Sequence, residues 1–164
     1  EIDAERQLLT WPVETIEPDQ VLQTWSVEVR PLALRQAAMA SAVNAERDQR
    51  MRSPFTFGAN QFDYDSDSQK RITGAGALAH IAITVGGKQP DDLRWHDGTA
   101  DFVWIAADNT LVPMDAQTVL AFGQAAGAWE SAHIFAARAL KDAIAVAADH
   151  EALDLIDITT GWPA

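Results

Sequence analysis

The 164 residues are 48% hydrophobic and 22% charged, and 24 acidic side chains against 12 basic ones give a formal net charge of −12. This apolar fraction is too high for a disordered chain, and the acidity opposes the phosphate neutralisation that non-specific nucleic-acid binding needs. The absence of cysteine removes disulfides, thiolate nucleophiles and sulfur-ligated zinc, and no run approaches the ~18 apolar residues of a membrane span. A soluble chain with neither nucleic acid nor membrane as partner is expected, of a length that makes one small domain or two very small units.

The sequence starts at Glu1 with no charged-then-apolar leader and no small-residue cleavage pattern, so no signal peptide is expected. It reads as the continuation of a larger N-terminal part. Residues 8–30 read as extended, with breaks at Pro12 and Pro18. Val21, Gln23, Trp25, Val27 and Val29 alternate with Leu22, Thr24, Ser26, Glu28 and Arg30, the period of a half-buried strand. Pro31 suits a first helical turn. A first helix is expected over 32–52, with Leu32, Met39 and Val43 on its apolar face and Arg47, Arg50 and Arg52 opposing the negative end of its dipole. Residues 1–31 are thus expected as an extended β segment, and 32–164 as a mainly α-helical domain.

Phe55-Thr56-Phe57-Gly58 through Phe62 and Tyr64 suggests a short hairpin. Ser66 and Gln69 have capping-box spacing for a second helix, with Ile72, Ala75, Ala79 and Ile83 on one face, Gly74 and Gly76 allowing close packing, and Gly86-Gly87 as the stop. Over 93–113 a small β unit is expected: Leu93 and Trp95, an Asp97-Gly98 turn, Phe102 to Ile105, an Asp108-Asn109 turn, then Leu111 and Val112. Asp115 can cap a long last helix over 116–149. Along that helix Val119, Phe122, Ala126, Trp129, His133, Ala136, Leu140, Ala143 and Ala147 recur in steps of three and four, a coiled-coil-like seam. Leu120, Gly123, Gly127, Ile134, Ala137, Ile144 and Ala148 form a second stripe beside it. The tail from Leu153 to Gly161-Trp162-Pro163 reads as a docking segment. The fold class is α+β, mostly helical: an N-terminal β segment, three helices with a long C-terminal one, and a small β-hairpin unit.

Candidate chemistry is sparse. Asp63, Asp65 and Asp67 alternate like the start of a calcium loop, but Ser68 stands where the turn needs glycine and Gly74 where a bidentate glutamate belongs. Gly74-Ala75-Gly76-Ala77-Leu78-Ala79 loosely matches a dinucleotide fingerprint without the preceding buried strand. His80, His96, His133 and His150 have no ligand spacing, no nucleophile elbow occurs, and no carboxylate pair is marked as acid and base. A non-enzymatic chain without cofactor or metal is expected. Trp95, Trp104 and Trp129 suit a main core. Trp11, Trp25 and Trp162, near the chain ends, are either core or partner anchors, tryptophan being enriched at interface hot spots. His133, on the helix seam, is a packed residue or a partner-facing donor. Five arginines between Arg30 and Arg52, Arg47 and Arg50 among them, meet only Glu46 and Asp48. They form either a solvated helix face or a seat for an acidic partner or the acidic half of a second copy.

Several blocks together resemble a family of uncharacterised domains in tailed-phage and prophage proteins, often encoded beside tail-fibre genes. They run from Asn44-Ala45-Glu46-Arg47-Asp48 and Phe55-Thr56-Phe57-Gly58 through Phe62-Asp63-Tyr64-Asp65, with Ser68-Gln69, and Ile72-Thr73-Gly74-Ala75. They continue with Trp104-Ile105-Ala106-Ala107-Asp108-Asn109, Val112-Pro113-Met114-Asp115, Phe135-Ala136-Ala137-Arg138-Ala139-Leu140-Lys141 and Gly161-Trp162-Pro163. The organisation and the ending Trp162-Pro163-Ala164 also resemble tail-fibre assembly proteins of the lambda type. The resemblance implies a chaperone or fibre-bound accessory protein that helps a trimeric tail fibre fold, acting in the host cytoplasm during assembly, with retention in the virion tail as a variant. A structural adaptor of the fibre or baseplate, and a receptor-binding or glycan-hydrolysing fibre module, are the alternatives. The partner implied is the phage tail fibre protein, with self-association as a further option, and no catalytic residue carries over.

Overall fold

The computed structural model describes residues 7–10 and 12–163. Helix accounts for 47% and strand for 18%, an α+β fold. The chain forms two compact units: residues 1–44 with 138–160, and residues 45–137 with 161–164. The expected boundary after residue 31 falls inside the first unit. No helix among the described residues is long and apolar enough to cross a membrane.

In the first unit, β1 (Gln7–Leu9) pairs antiparallel with β4 (Val27–Val29), and β2 (Val13–Glu17) with β3 (Gln20–Thr24). The register runs from Gln7 opposite Val29 to Glu17 opposite Gln20, making one two-stranded ribbon turned at Pro18-Asp19. Between its halves the Thr10 N–H donates to the Ser26 carbonyl at 3.0 Å, and the two hydroxyls lie 2.7 Å apart. The single half-buried strand expected over 21–30 is therefore two exposed strands. Alternation buries a face only where something covers it, and every described residue from Val13 to Val29 is exposed.

Helix α1 (Leu32–Arg50) places Leu32, Arg35, Met39 and Val43 on one face by steps of three and four. Val43 is fully buried, and Arg35 is buried with it. The last helix expected over 116–149 ends earlier: α3 spans Ala116–Val146, and a fourth helix, α4 (His150–Asp154), follows. Asp149 is the reason, because its carboxylate accepts the Ala152 N–H at 2.8 Å and so caps a new helix. Part of the presumed docking tail is thus folded into this unit, with Leu153 fully buried. Gln36 ties α1 to the end of α3 by donating to the carbonyls of Ile144 (3.0 Å) and Ala147 (3.2 Å).

The second unit has an aromatic core. The hairpin β5 (Phe55–Phe57) and β6 (Asn60–Phe62) turns at Gly58-Ala59, where Gly58 has φ +61°, a conformation that glycine adopts without steric cost. Helix α2 (Ser66–Thr84) begins one residue differently from the expected capping box. Asp65, not Ser66, is the N-cap, its carboxylate accepting from the N–H groups of Asp67 (3.0 Å) and Ser68 (2.8 Å). Its buried face carries Ile72 and Ala79. Nothing lies within 4 Å of where a Cβ would stand at Gly74 or Gly76, so neither glycine is required by close packing.

The strands β7 (Val103–Ile105) and β8 (Leu111–Pro113) pair across the Asp108-Asn109 turn as expected. The strand expected at Leu93–Trp95 is instead a turn-rich segment, bracketed by positive φ at Asp91 and Asp97. It is pinned by the Trp95 indole N–H donating to the Met114 carbonyl (3.1 Å) and by the Asp91 N–H donating to Asp115 (2.7 Å). In α3 the seam holds through Val119, Phe122, Ala126 and His133, then passes to Ala137 and Ile144, leaving Ala143 exposed. A straight helix of 3.6 residues per turn drifts away from a strict 3.5 repeat, and the buried line follows the helix.

Candidate protein-binding surfaces

Each unit carries sequence candidates at its surface. In the second unit His133 lies at 2% exposure on α3, between two indoles. Its ring is 4.3 Å from that of Trp129 and stacks at 24° on that of Trp162, 6.2 Å away. Nδ1 of His133 is 2.9 Å from the Trp129 carbonyl, which can only accept, so Nδ1 is the donor of this bond. The Arg50 guanidinium sits over the Trp162 ring at 5.4 Å, a cation–π geometry, while its Nε donates to Glu46 at 2.7 Å. Three sequence candidates, Arg50, His133 and Trp162, are therefore one cluster. Arg50 and His133 border a cleft of about 230 Å³ that Phe55, Gln61 and Pro163 also line. His133 is in the packed role, and Trp162 is half-buried.

Arg47 is paired with its neighbour Asp48 at 2.6 Å. Trp11 lies outside the described residues. Trp25 stands in the first unit's ribbon, 51% exposed, between β3 and β4. Trp95 is buried, and Trp104 and Trp129 pack partly buried against the same core.

The ribbon is the second surface. Ile16 is 82% exposed, and Val13, Val21, Val29 and Leu9 are each more than half exposed. Cross-strand pairing puts Ile16 beside Val21 and Thr15 beside Leu22 on opposite faces, so neither face is polar throughout. Both sheets have two strands, so among the described residues no third strand covers an edge. Between Gln7 and Val29 the ribbon carries Glu14, Glu17, Asp19 and Glu28 and no basic residue.

Two of the five arginines between Arg30 and Arg52 do not stand on a solvated helix face. Arg35 is buried, ion-paired with Asp154, and its Nη1 donates to the His150 carbonyl at 3.1 Å. Its spacing on the Leu32–Met39–Val43 face was the signal available. Arg30 lines a cleft beside it, and its Nε is buried without an acceptor.

The perturbed carboxyls Asp65 and Asp115 and the one phenol, Tyr64, all take part in hydrogen bonds of the second unit's fold. Burial works against the ionised form of Asp115, but the Thr118 hydroxyl and the N–H groups of Asp91 and Thr118 outweigh it and hold the carboxyl below its usual range. Burial, and then the hydrogen bond to Glu130 (2.8 Å), push the Tyr64 hydroxyl above its usual range. Hydrogen bonds from Ser68 lower Asp65, the α2 cap. Among the described residues no group of three or more histidine or carboxylate side chains is placed to hold a metal ion.

No curated protein and no solved structure matches the chain. Residues 34–160 match the family model described as "Domain of unknown function (DUF4376)", and the chain belongs to that family.

Proposed function

We propose that this chain is a non-enzymatic protein-binding module that assists the folding and trimerisation of a phage tail fibre, as an assembly chaperone or a fibre-bound accessory. The observation that carries the reading is the uncovered ribbon of the first unit. An isolated two-stranded ribbon is marginal in water, and apolar side chains on both faces of one with open edges invite another strand. An unfinished fibre trimer exposes such strands and apolar surface during assembly. A second copy of this chain is the weaker occupant, because it would set four carboxylates of one ribbon against four of another. The resemblance of residues 44–164 to tail-associated domains supplies the fibre as the partner, and the host cytoplasm during assembly as the place of action.

The test is co-expression with the neighbouring fibre gene, followed by size-exclusion chromatography and mass measurement of the peak. A complex containing the fibre trimer, and less soluble fibre when this chain is omitted, is the expected result. A fibre that trimerises equally well alone, with no complex, overturns the reading. Presence in virions at fixed stoichiometry whatever the fibre tip would select the structural adaptor.

A further inference from the structure

We propose that the cleft of the first unit is a seat for the C-terminal carboxylate of a partner protein whose last residue is aliphatic. This inference does not depend on the identity of that partner or on the assembly reading. The cleft measures about 430 Å³. Its wall is aliphatic, formed by Met39 of α1 with Leu153, Ile156 and Ile158 of the closing segment, and two guanidinium groups, Arg30 and Arg35, border it.

The two arginines are in different states. Arg35 is committed to the fold: it is buried, ion-paired with Asp154 and bonded to the His150 carbonyl. That pairing also uses the one carboxylate lining the cleft. Arg30 has no ion pair among the described residues, and its Nε is shut off from solvent with no acceptor. A buried donor without a protein acceptor is rare in folded proteins, because desolvating it costs free energy that no hydrogen bond returns. The Arg30 side chain as a whole is only half-buried, it lines the cleft, and no ion pair among the described residues holds it. A guanidinium fork takes a carboxylate in two parallel hydrogen bonds.

The combination of a planar cation and an aliphatic wall selects the ligand. Aspartate and glutamate side chains bring a carboxylate without an aliphatic branch, and an internal leucine or isoleucine brings the branch without the charge. A C-terminal leucine, isoleucine or valine carries both on one residue.

The probes are N-acetyl-leucine and its amide, titrated into the full ¹⁵N-labelled chain and followed by amide chemical shifts. The acid is expected to shift residues of the cleft with a dissociation constant in the ~millimolar range that suits so small a ligand. The amide is expected to bind about tenfold more weakly or worse, because it lacks the charge-assisted pair. Arg30→Gln should fold normally, having no ion pair to lose, and should abolish the preference for acid over amide. Ala38→Leu, which adds bulk at an exposed position lining the same cleft, should weaken both probes while leaving Arg30 in place. Equal binding of acid and amide, a preference that survives Arg30→Gln, or full binding to the Ala38→Leu chain would overturn the proposal. Tighter binding of dodecanoate than of N-acetyl-leucine would overturn it too, by making the site one for a lipid chain.

Discussion

Two antiparallel strand pairs in this protein start from the same local physics and end in opposite states. The hairpin of β5 and β6 puts Phe55 opposite Phe62, and both are buried, at 2% and 0% exposure. The ribbon of β1 to β4 puts Ile16 opposite Val21, and both stand in solvent. The hairpin is only three residues a side, yet it is locked because Phe122 of α3 receives it: the rings of Phe55, Phe57 and Phe62 all lie within 5.3 Å of the Phe122 ring. The ribbon is longer and better paired along its length but has no such receiver among the described residues. Strand pairing fixes a backbone, whereas burial of side chains fixes it in a fold. The hairpin is therefore held by its packing, and the ribbon by its pairing alone among the described residues.

The largest effect is expected where the hairpin is received. Phe122→Ala removes a fully buried ring in contact with Phe55, Phe57, Phe62 and Trp104. Such truncations cost about 3–5 kcal/mol, a large part of the roughly 5–15 kcal/mol that stabilises a domain. Urea denaturation followed by tryptophan fluorescence should show a midpoint far below wild type, or no cooperative transition. A loss under ~1 kcal/mol would place the hairpin in the same class as the ribbon and dissolve the contrast.

A smaller effect is expected at Asp115, which caps α3 through the Thr118 N–H (2.7 Å) and holds the loop through the Asp91 N–H (2.7 Å). Asp115→Ala should cost about 1–2 kcal/mol at pH 7. The sign of the pH dependence follows from the lowered carboxyl of the folded state. The contribution is complete above the unfolded-state value, roughly pH 4, and is lost as pH falls below that toward the folded-state value. Urea midpoints of the wild-type and Asp115→Ala chains should therefore converge on acidification from pH 7 to pH 3. A gap that stays constant would show that the ionised form is not what caps the helix.

How much of this was legible in the sequence differs between the two regions for the same reason. The second unit could be read because its pattern and its packing agree: Phe55 and Phe62, Ile72 and Ala79, Val119 and Phe122 all lie where periodicity puts them. The seam of α3 was legible to His133 and then lost, because a heptad template does not follow a straight helix. Asp149 looked like part of a long helix because capping is a competition between a side chain and the backbone, decided by geometry. The ribbon had the alternation of a half-buried strand, but alternation says which residues share a face and nothing about a cover for it. The meeting of Arg50, His133 and Trp162 joins residues up to 112 positions apart in the chain and has no local signal. Arg35 did have one, an arginine at helical spacing on an apolar face.

Gly74 offers a modest test of what packing does and does not require. It lies in the interior of α2, exposed, with open space where a Cβ would stand. Gly74→Ala should stabilise the protein by about 0.5–1 kcal/mol, since alanine loses less backbone entropy in a helix. A lower melting temperature would mean that α2 does use that glycine for close approach.

The smallest effect on stability is expected from the double substitution Ile16→Thr and Val21→Thr in the ribbon. The two side chains are cross-strand neighbours on one face, at 82% and 59% exposure. Threonine keeps the branched shape that strands favour, so the pairing and its twist are retained. Little burial is lost, and the change in unfolding free energy should stay within about 0.5 kcal/mol. The same change strips the apolar pair from that face, so recovery of the fibre complex should fall sharply while the melting curve stays in place. Phe122→Ala would abolish both together. If the double variant melts much earlier than wild type, the ribbon is covered within the chain itself and belongs with the hairpin. If it melts normally and binds fibre normally, that face of the ribbon is not where the partner docks. Only the separation of the two readouts, fold intact and complex lost, leaves the ribbon as the working surface and the hairpin as its structural counterpart.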